Sequence, residues 1–279
     1  MRASLSLGTP RPRKVHVLLS GRVQDRTAIR GRGVQIWRLD GVLRSAEDAS
    51  GHLSDFGAVC EWQFGEIASC RATMAEAISL AQELKGKNSL AMALAWAATL
   101  GQCERNPVEV ERLASDLIEL STCQTFATFR PMGAILRGWA RSAFGDITEG
   151  ISWIENGMVD YRATGSILTM PYLLVLKAGA LHLSNRSAET LEAMQEAEQL
   201  VERSEERWWC AELQRLRGVF LAAMGAEETQ IEVSFQEAIR IARQQKSVSL
   251  EKRAEATYGE YRRQKAGGSG GRGFRLPLC

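Results

Sequence analysis

The chain is poor in the side chains that usually carry metal or catalytic chemistry. Its 279 residues hold three histidines, His16, His52 and His182, widely separated, and six cysteines with no C-x-x-C pair. That scatter excludes the common zinc spacings and a disulfide framework, and reads as reduced thiols. No Ser-His-Asp arrangement can be argued, and His182, late in an apolar stretch, reads as a packing or capping residue. The phosphate cradle G-x-x-x-x-G-K-[ST] is missing too, since "GSGGRGF" (268–274) lacks its Lys-Ser/Thr. Long apolar runs are equally scarce. The longest, near "LAMALAWAATL" (90–100), is about half the ~20 residues that a bilayer needs. The start is broken by His16 and lacks a small-residue cleavage site, so it does not read as a secretory leader. The expectation is a cytoplasmic protein with no membrane contact, no metal, no cofactor and no catalytic residues.

Net charge is small, +2, but unevenly spread. Residues 1–50 hold ten Lys and Arg against four Asp and Glu, so +6, which leaves −4 for the remaining 229. Arg11, Arg13, Lys14, Arg22, Arg26, Arg30 and Arg32 would suit phosphate neutralisation. A transcriptional regulator that binds nucleic acid through this arm is therefore one alternative. The cluster has no helix-turn-helix signal and almost no interleaved aromatics, so an unstructured basic segment over 1–60 is expected and a nucleic-acid partner is not.

From about Glu61 the texture becomes helical, with no competing strand alternation. Ile151, Ile154, Met158 and Tyr161 fall on one helical face. Leu191, Met194 and Val201 do so in "SAETLEAMQEAEQLVERS", and Phe235, Ala238, Ile239 and Ala242 in "VSFQEAIRIARQQ". Helix starts are marked by "NPVE" (106–109) and "DITE" (146–149). These signals predict first helices at about 88–101, 131–144, 171–184, 207–224 and 247–263. Second helices are predicted at about 72–85, 107–121, 147–163, 187–204 and 229–245.

A small residue returns about every 40 positions: Ala98, Gly138, Gly179 and Gly218. Pro131 and Pro171 echo the interval. Glycine inside a helix costs about 1 kcal/mol relative to alanine, so a compensating gain is required. In stacked helical hairpins each first helix is squeezed between its partner and the next repeat, and a small residue is favoured where axes approach closely. The four are accordingly expected to be repeat-packing residues. The fold class read from this is all-α: a superhelical array of about five antiparallel helix pairs spanning 61–264, followed by a flexible Gly/Ser-rich tail, 265–279.

Such pairs resemble the tetratricopeptide repeat, although ~40 residues exceeds its usual 34 and its consensus is present only in pieces such as "LRGWA" and "EAI". More specifically, "SEERWWCAELQRLRG", "YRATG…PYLL", "SFQEAIRIARQQKSVSLEKRAEA" and the ending "GFRLPL" resemble the C-terminal repeat region of bacterial class III adenylate/guanylate cyclase-like proteins with a central AAA-type ATPase domain. The likeness covers about 62–279 and not 1–60. The resemblance implies a bacterial signal-transduction role, with a cyclase/ATPase module as the neighbouring domain. No strand-borne aspartate pair for two-metal cyclase chemistry is found here. The chain thus reads as a truncated or detached regulatory arm, a non-catalytic protein-binding scaffold. A second alternative is a nucleotide-binding, adenylate cyclase-related protein.

Four residues are candidates for touching a protein or peptide partner. Trp208 and Trp209 are expected to open a first helix, either as an aromatic anchor or with one packed between repeats and the other partly exposed. Arg137 and Arg217, two periods apart, would line a concave groove and clamp a carboxylate, or lie on a solvated face like Arg215 beside Glu212. Trp139 and Trp153 are expected in the core.

Overall fold

The computed structural model describes residues 57–204 and 206–267. A helical segment, 57–63, leads into ten helices. They are α1 (Ile67–Glu83), α2 (Lys87–Cys103), α3 (Pro107–Gln124), α4 (Phe129–Phe144), α5 (Ile147–Ala163), α6 (Met170–Leu183), α7 (Ser187–Ser204), α8 (Cys210–Ala223), α9 (Glu228–Gln244) and α10 (Val248–Ala266). The basic cluster between residues 11 and 32, His16, His52 and the glycine-rich tail beyond 267 lie outside the described residues. Residues 57–60, expected to be poorly structured, are helical and buried, because Trp62 and Gln63 dock the segment onto distant parts of the chain.

The helices form an all-α, tetratricopeptide-like stack in two layers. Each of α2, α4, α6 and α8 packs on the odd-numbered helix that follows it, and α2, α4, α6, α8 and α10 also pack on one another in file. Among the described residues no two odd-numbered helices pack together. The even helices therefore line the inside of the curve and the odd helices the outside. Composition follows position. Helix α6, enclosed on nearly every side, buries ten of its fourteen residues, from Met170 to Leu181. Outer α7 buries only Thr190, Ala193, Met194 and Ala197. The face expected there is rotated accordingly, and Leu191 is exposed.

Local signals act unequally. Asn106 caps α3 through its side-chain oxygen, which accepts from the Glu109 N–H at 3.2 Å, with Pro107 in the first turn. Asp146 makes no such bond at α5. Its carboxylate sits 3.7 Å from Arg141 instead.

The tightest crossing joins α4 and α5. A methyl carbon at Gly138 would lie 2.5 Å from the Gly150 carbonyl oxygen and 2.7 Å from Ile154 Cγ1. Gly157, two turns beyond Gly150, would meet Ile135 Cγ1 at 2.7 Å. Gly218 is roofed by the Phe235 ring of α9, 2.8 Å from a would-be Cβ, and Ala98 is fully buried in α2. Gly179 differs: nothing lies within 4 Å of a Cβ placed there. The reason is register. Positions 98, 138, 178 and 218 are forty apart, and residue 178 is a fully buried alanine. Gly179 stands one residue later, turned by about 100° toward the inside of the curve.

Replacing Gly138 by alanine should lower stability by about 1–3 kcal/mol, because backbone of α5 occupies the space. Urea denaturation checks this, and an unchanged midpoint would remove the close crossing as the reason for that glycine.

Candidate functional site

The inner face is where a helical stack of this kind can hold a partner, and a cluster of aromatic side chains lies within it. Trp208 and Trp209 do not open α8. They occupy the turn before it, with Trp209 at the cap position. Their rings lie 5.0 Å apart, and Tyr172 of α6 sits 5.3 Å from one and 5.4 Å from the other. Trp96 of α2 meets Trp208 edge-on at 6.3 Å, and Trp62 lies 6.2 Å from Trp209. Both members of the pair are buried, Trp208 to 1% exposure and Trp209 to 4%. Neither is the exposed anchor that adjacency suggested; each is held by rings from its own chain.

Polar bonds reinforce this closure. The Gln63 side-chain N–H donates to the Trp208 carbonyl at 3.0 Å, and the Tyr172 hydroxyl to Gln102 Oε1 at 3.1 Å. The Trp208 indole N–H donates to Glu206 at 2.9 Å, and the Thr169 backbone N–H to the other oxygen of the same carboxylate at 2.9 Å. Burial nevertheless pushes the Glu206 carboxyl up to about 7.

Beside the aromatic cluster lies a buried charge network. Arg215 donates twice to Glu212, at 2.7 and 2.9 Å, and once to Thr257 of α10 at 3.1 Å. Arg253 of α10 reaches Glu212 at 3.4 Å, donates to the Cys103 carbonyl at the end of α2, and stands over the Trp62 ring at 5.1 Å. Burial alone would raise the Glu212 pKa, but the two guanidiniums outweigh it and hold it at about 2. Glu212 and Arg215, expected on a solvated face, are thus interior. Nothing in helical spacing separates the two cases, because an i,i+3 pair looks the same on either face.

The other arginine candidates lie elsewhere. Arg137 donates to Glu111 of α3 at 3.1 Å and stands 4.7 Å over the ring of Trp153 of α5. Arg217 pairs with Glu198 of α7 at 2.5 Å. Both therefore point toward outer helices rather than into the curve. Trp153 is half-buried, with its N–H on Glu149 at 3.3 Å, whereas Trp139 is buried. The His182 ring packs on Phe220 at 4.7 Å, and burial lowers its pKa. Burial pushes the thiols of Cys60 and Cys210 up, to about 12 and about 11, away from the reactive thiolate form.

The inner face carries a depression where α2, α4, α6 and α8 converge. Trp139, Val175, Leu176, Ala180, Leu183 and Leu216 provide apolar wall, and Gly179 leaves the wall open. Gln102, Arg105, Glu212 and Arg215 supply its polar edge. It encloses about 30 Å³ of space accessible to water. Trp209 also lines it, and the Trp209 indole N–H is buried with no protein acceptor. Of the four partner candidates, this depression includes Trp209 alone. Gly179, read as a packing residue, contributes instead to the cavity.

A family model described as anaphase-promoting complex subunit 5 matches residues 53–104 and 200–257, which is less than half of the chain. Those two stretches include Trp62, Cys103, Trp208, Glu212 and Arg253, which the fold brings together. An uncharacterized protein, R02095, of Rhizobium meliloti (strain 1021) is 21% identical over 197 residues, covering 71% of this chain and 19% of its own length. The chain thus spans about a fifth of that relative. Among solved structures, the apo form of RapI aligns with a TM-score of 0.54 at 11% identity, over 88% of this chain and 94% of that one. PlcR of Bacillus thuringiensis, solved with the peptide PapR7 and DNA, aligns at 0.49 and 14% identity, over 86% and 76%. The RapI likeness gives the fold as a helical-repeat architecture. No described helix is long and apolar enough to cross a membrane, and no group of three metal-ligating side chains occurs among the described residues.

Glu212→Gln should cost about 3–5 kcal/mol, since two buried guanidiniums lose their counter-charge. A loss below about 1 kcal/mol in urea titration would show that water replaces the carboxylate.

Glu206 predicts a pH effect. Its folded pKa of about 7 lies above the ordinary value of 4.5, so its contribution is fully present below pH 4.5 and lost as pH rises through 7. The stability difference between the wild type and Glu206→Gln, measured at pH 5 and pH 8, should shift against the wild type by up to about 3 kcal/mol. Taking the difference cancels the opposite effect of His182. An unchanged difference would mean that Glu206 is ionised throughout.

Proposed function

We propose that this chain is a non-catalytic regulatory repeat module that binds a protein or peptide segment on its inner face. The observation that supports it most directly is the convergence of four inner helices on a depression with an apolar wall and a polar edge. Stacked hairpins supply such a surface from many helices at once, so that a bound segment couples repeats distant in sequence. The short span of the chain relative to R02095 fits a module within a larger protein. In this reading the neighbouring module is of the cyclase/ATPase signalling type, which rests on the resemblance of "SEERWWCAELQRLRG" and the strings around it, and the setting is cytoplasmic.

Display libraries of peptides with free C-termini and with internal random segments, panned on the full chain, test the reading. Enrichment of a shared motif, with micromolar binding of the synthetic peptide, is expected. Failure of both formats to enrich any motif would remove peptide recognition as the function.

A further inference from the structure

The helical segment 57–63 closes the inner face from one end, and what it implies rests on the peptide-binding reading above. A local bond holds it to α1, from the Thr73 hydroxyl to the Glu61 carboxylate at 2.9 Å. Its other contacts reach the far end of the chain. The Gln63 side-chain N–H donates to the Trp208 carbonyl, and the Ser249 hydroxyl donates to the Trp62 carbonyl. The Trp62 ring lies 6.2 Å from that of Trp209, and the Arg253 guanidinium stands 5.1 Å over it. The connection to α1 runs through Phe64, Gly65 and Glu66, which are half-buried to exposed, with Gly65 at a φ of +84°.

The end of a helical stack opens at lower free energy than its middle, because a terminal element has stacked neighbours on one side only. Here the terminal element lies against Trp209 and Arg253, so its opening uncovers part of the aromatic cluster. Hydrogen bonding at the seam is also incomplete. The turns before α8 and α10, which receive the segment, carry three buried side-chain atoms with no hydrogen-bond partner among the described residues: Trp209 Nε1, Gln245 Oε1 and Ser247 Oγ. Unmatched atoms of this kind weaken the closed arrangement.

The surface under the segment asks for a definite chemistry. It presents the Trp208 carbonyl as acceptor, the Ser249 hydroxyl as donor, the Arg253 guanidinium and the Trp209 ring. The segment answers with the last turn of a helix. That turn supplies an aromatic ring for the cation and the indole, a carbonyl of the kind that helix ends leave free, and a side-chain amide on the next residue. The Gly65 N–H also reaches the Trp62 carbonyl, at 3.0 Å, and closes the turn.

We infer that 57–63 is a displaceable strap, the resident occupant of a docking surface built by Trp208, Trp209, Ser249 and Arg253. A protein partner displaces it with the C-terminal turn of a helix that carries an aromatic residue followed by glutamine or asparagine. The strap covers the surface until such a turn competes for it, so that partner binding and release of the first described segment are one equilibrium.

The test uses the full chain. The probe is a fluorescein-labelled peptide of residues 57–66 with Cys60→Ser, read by anisotropy. On a Trp62→Ala chain, whose strap lacks its ring, the probe should bind with a Kd below about 100 μM, at least about tenfold tighter than on the wild type. Trp62→Ala within the probe should abolish binding, and Gln63→Ala within the probe should weaken it about fivefold. Hydrogen exchange of the wild type gives a second readout that needs no variant. Amides of 57–66 should exchange at least about tenfold faster than those of α6. A bound library-derived peptide should speed exchange over 57–66 further and slow it in α8 and α10.

Equal binding of the probe to the wild type and to the Trp62→Ala chain, or binding to neither, would overturn the strap. Undiminished binding of the Gln63→Ala probe would overturn the aromatic–amide assignment. If the Trp62→Ala chain fails to fold, exchange decides, and amides of 57–66 as slow as those of α6 would overturn the strap. Library-derived peptides that bind without speeding exchange over 57–66 would sink the strap and leave the broader reading standing. Libraries that enrich nothing even on the Trp62→Ala chain, with the probe silent, would end both.

Discussion

Trp62, Trp96, Tyr172, Trp208 and Trp209 come from four segments of the chain, yet each ring lies within 6.3 Å of another. This cluster is the constraint on which the inner face depends. A file of helical hairpins has one layer that curves inward, and that layer must be wetted, filled by a ligand or filled by the chain itself. Here five aromatic residues pack together within it. Each buries a large apolar surface, at roughly 25 cal/mol per Å² removed from water. The polar tips are handled one by one. Tyr172 bonds Gln102 and Trp208 bonds Glu206, while the Trp209 N–H is buried and unmatched.

Closure changes the mechanics of a repeat protein. In an open solenoid each repeat contacts its neighbours only, and stability is close to a sum of local terms. In this chain Gln63 bonds the backbone of Trp208, 145 residues away. Arg253 bonds that of Cys103, 150 away, and the Ser249 hydroxyl donates to the Trp62 carbonyl across 187. The first and last described repeats are therefore coupled, and fraying one end exposes the aromatic cluster to water. The Glu212–Arg215–Arg253 group sits at that junction. Buried charge contributes little net stability relative to an apolar core of the same volume, but misplaced partners are strongly penalised. Its effect is to fix how α10 registers against α2 and α8.

Much of the architecture is legible in the sequence because it follows from periodicity. All ten helices appear where apolar spacing and turn residues place them, with ends shifted by a few residues, as between the expected 72–85 and the observed Ile67–Glu83. The inner-layer closure is not legible in the same way. Periodicity reports which face of a helix is buried, not whether the burial is by an adjacent repeat or by one several repeats away. Trp208 and Trp209 look alike under either arrangement, and so does the Glu212–Arg215 pair. The glycines on α5 were readable: Gly150, Ile154 and Gly157 fall on one face, and that face meets Gly138.

The small-residue series shows how narrow the margin is between scaffold and site. With a strict interval the third member is Ala178, which is buried and packs like its counterparts. The glycine lies one position on, and a single step along a helix rotates a residue by about 100°. That rotation carries it from the layer of repeat contacts to the inner wall beside Trp209. Sequence alone weighs "KAGAL" as one small-residue motif, whereas the fold divides it between two tasks. Alanine at 178 lets α6 sit within the stack, and glycine at 179 holds open a recess that the aromatic cluster leaves unfilled.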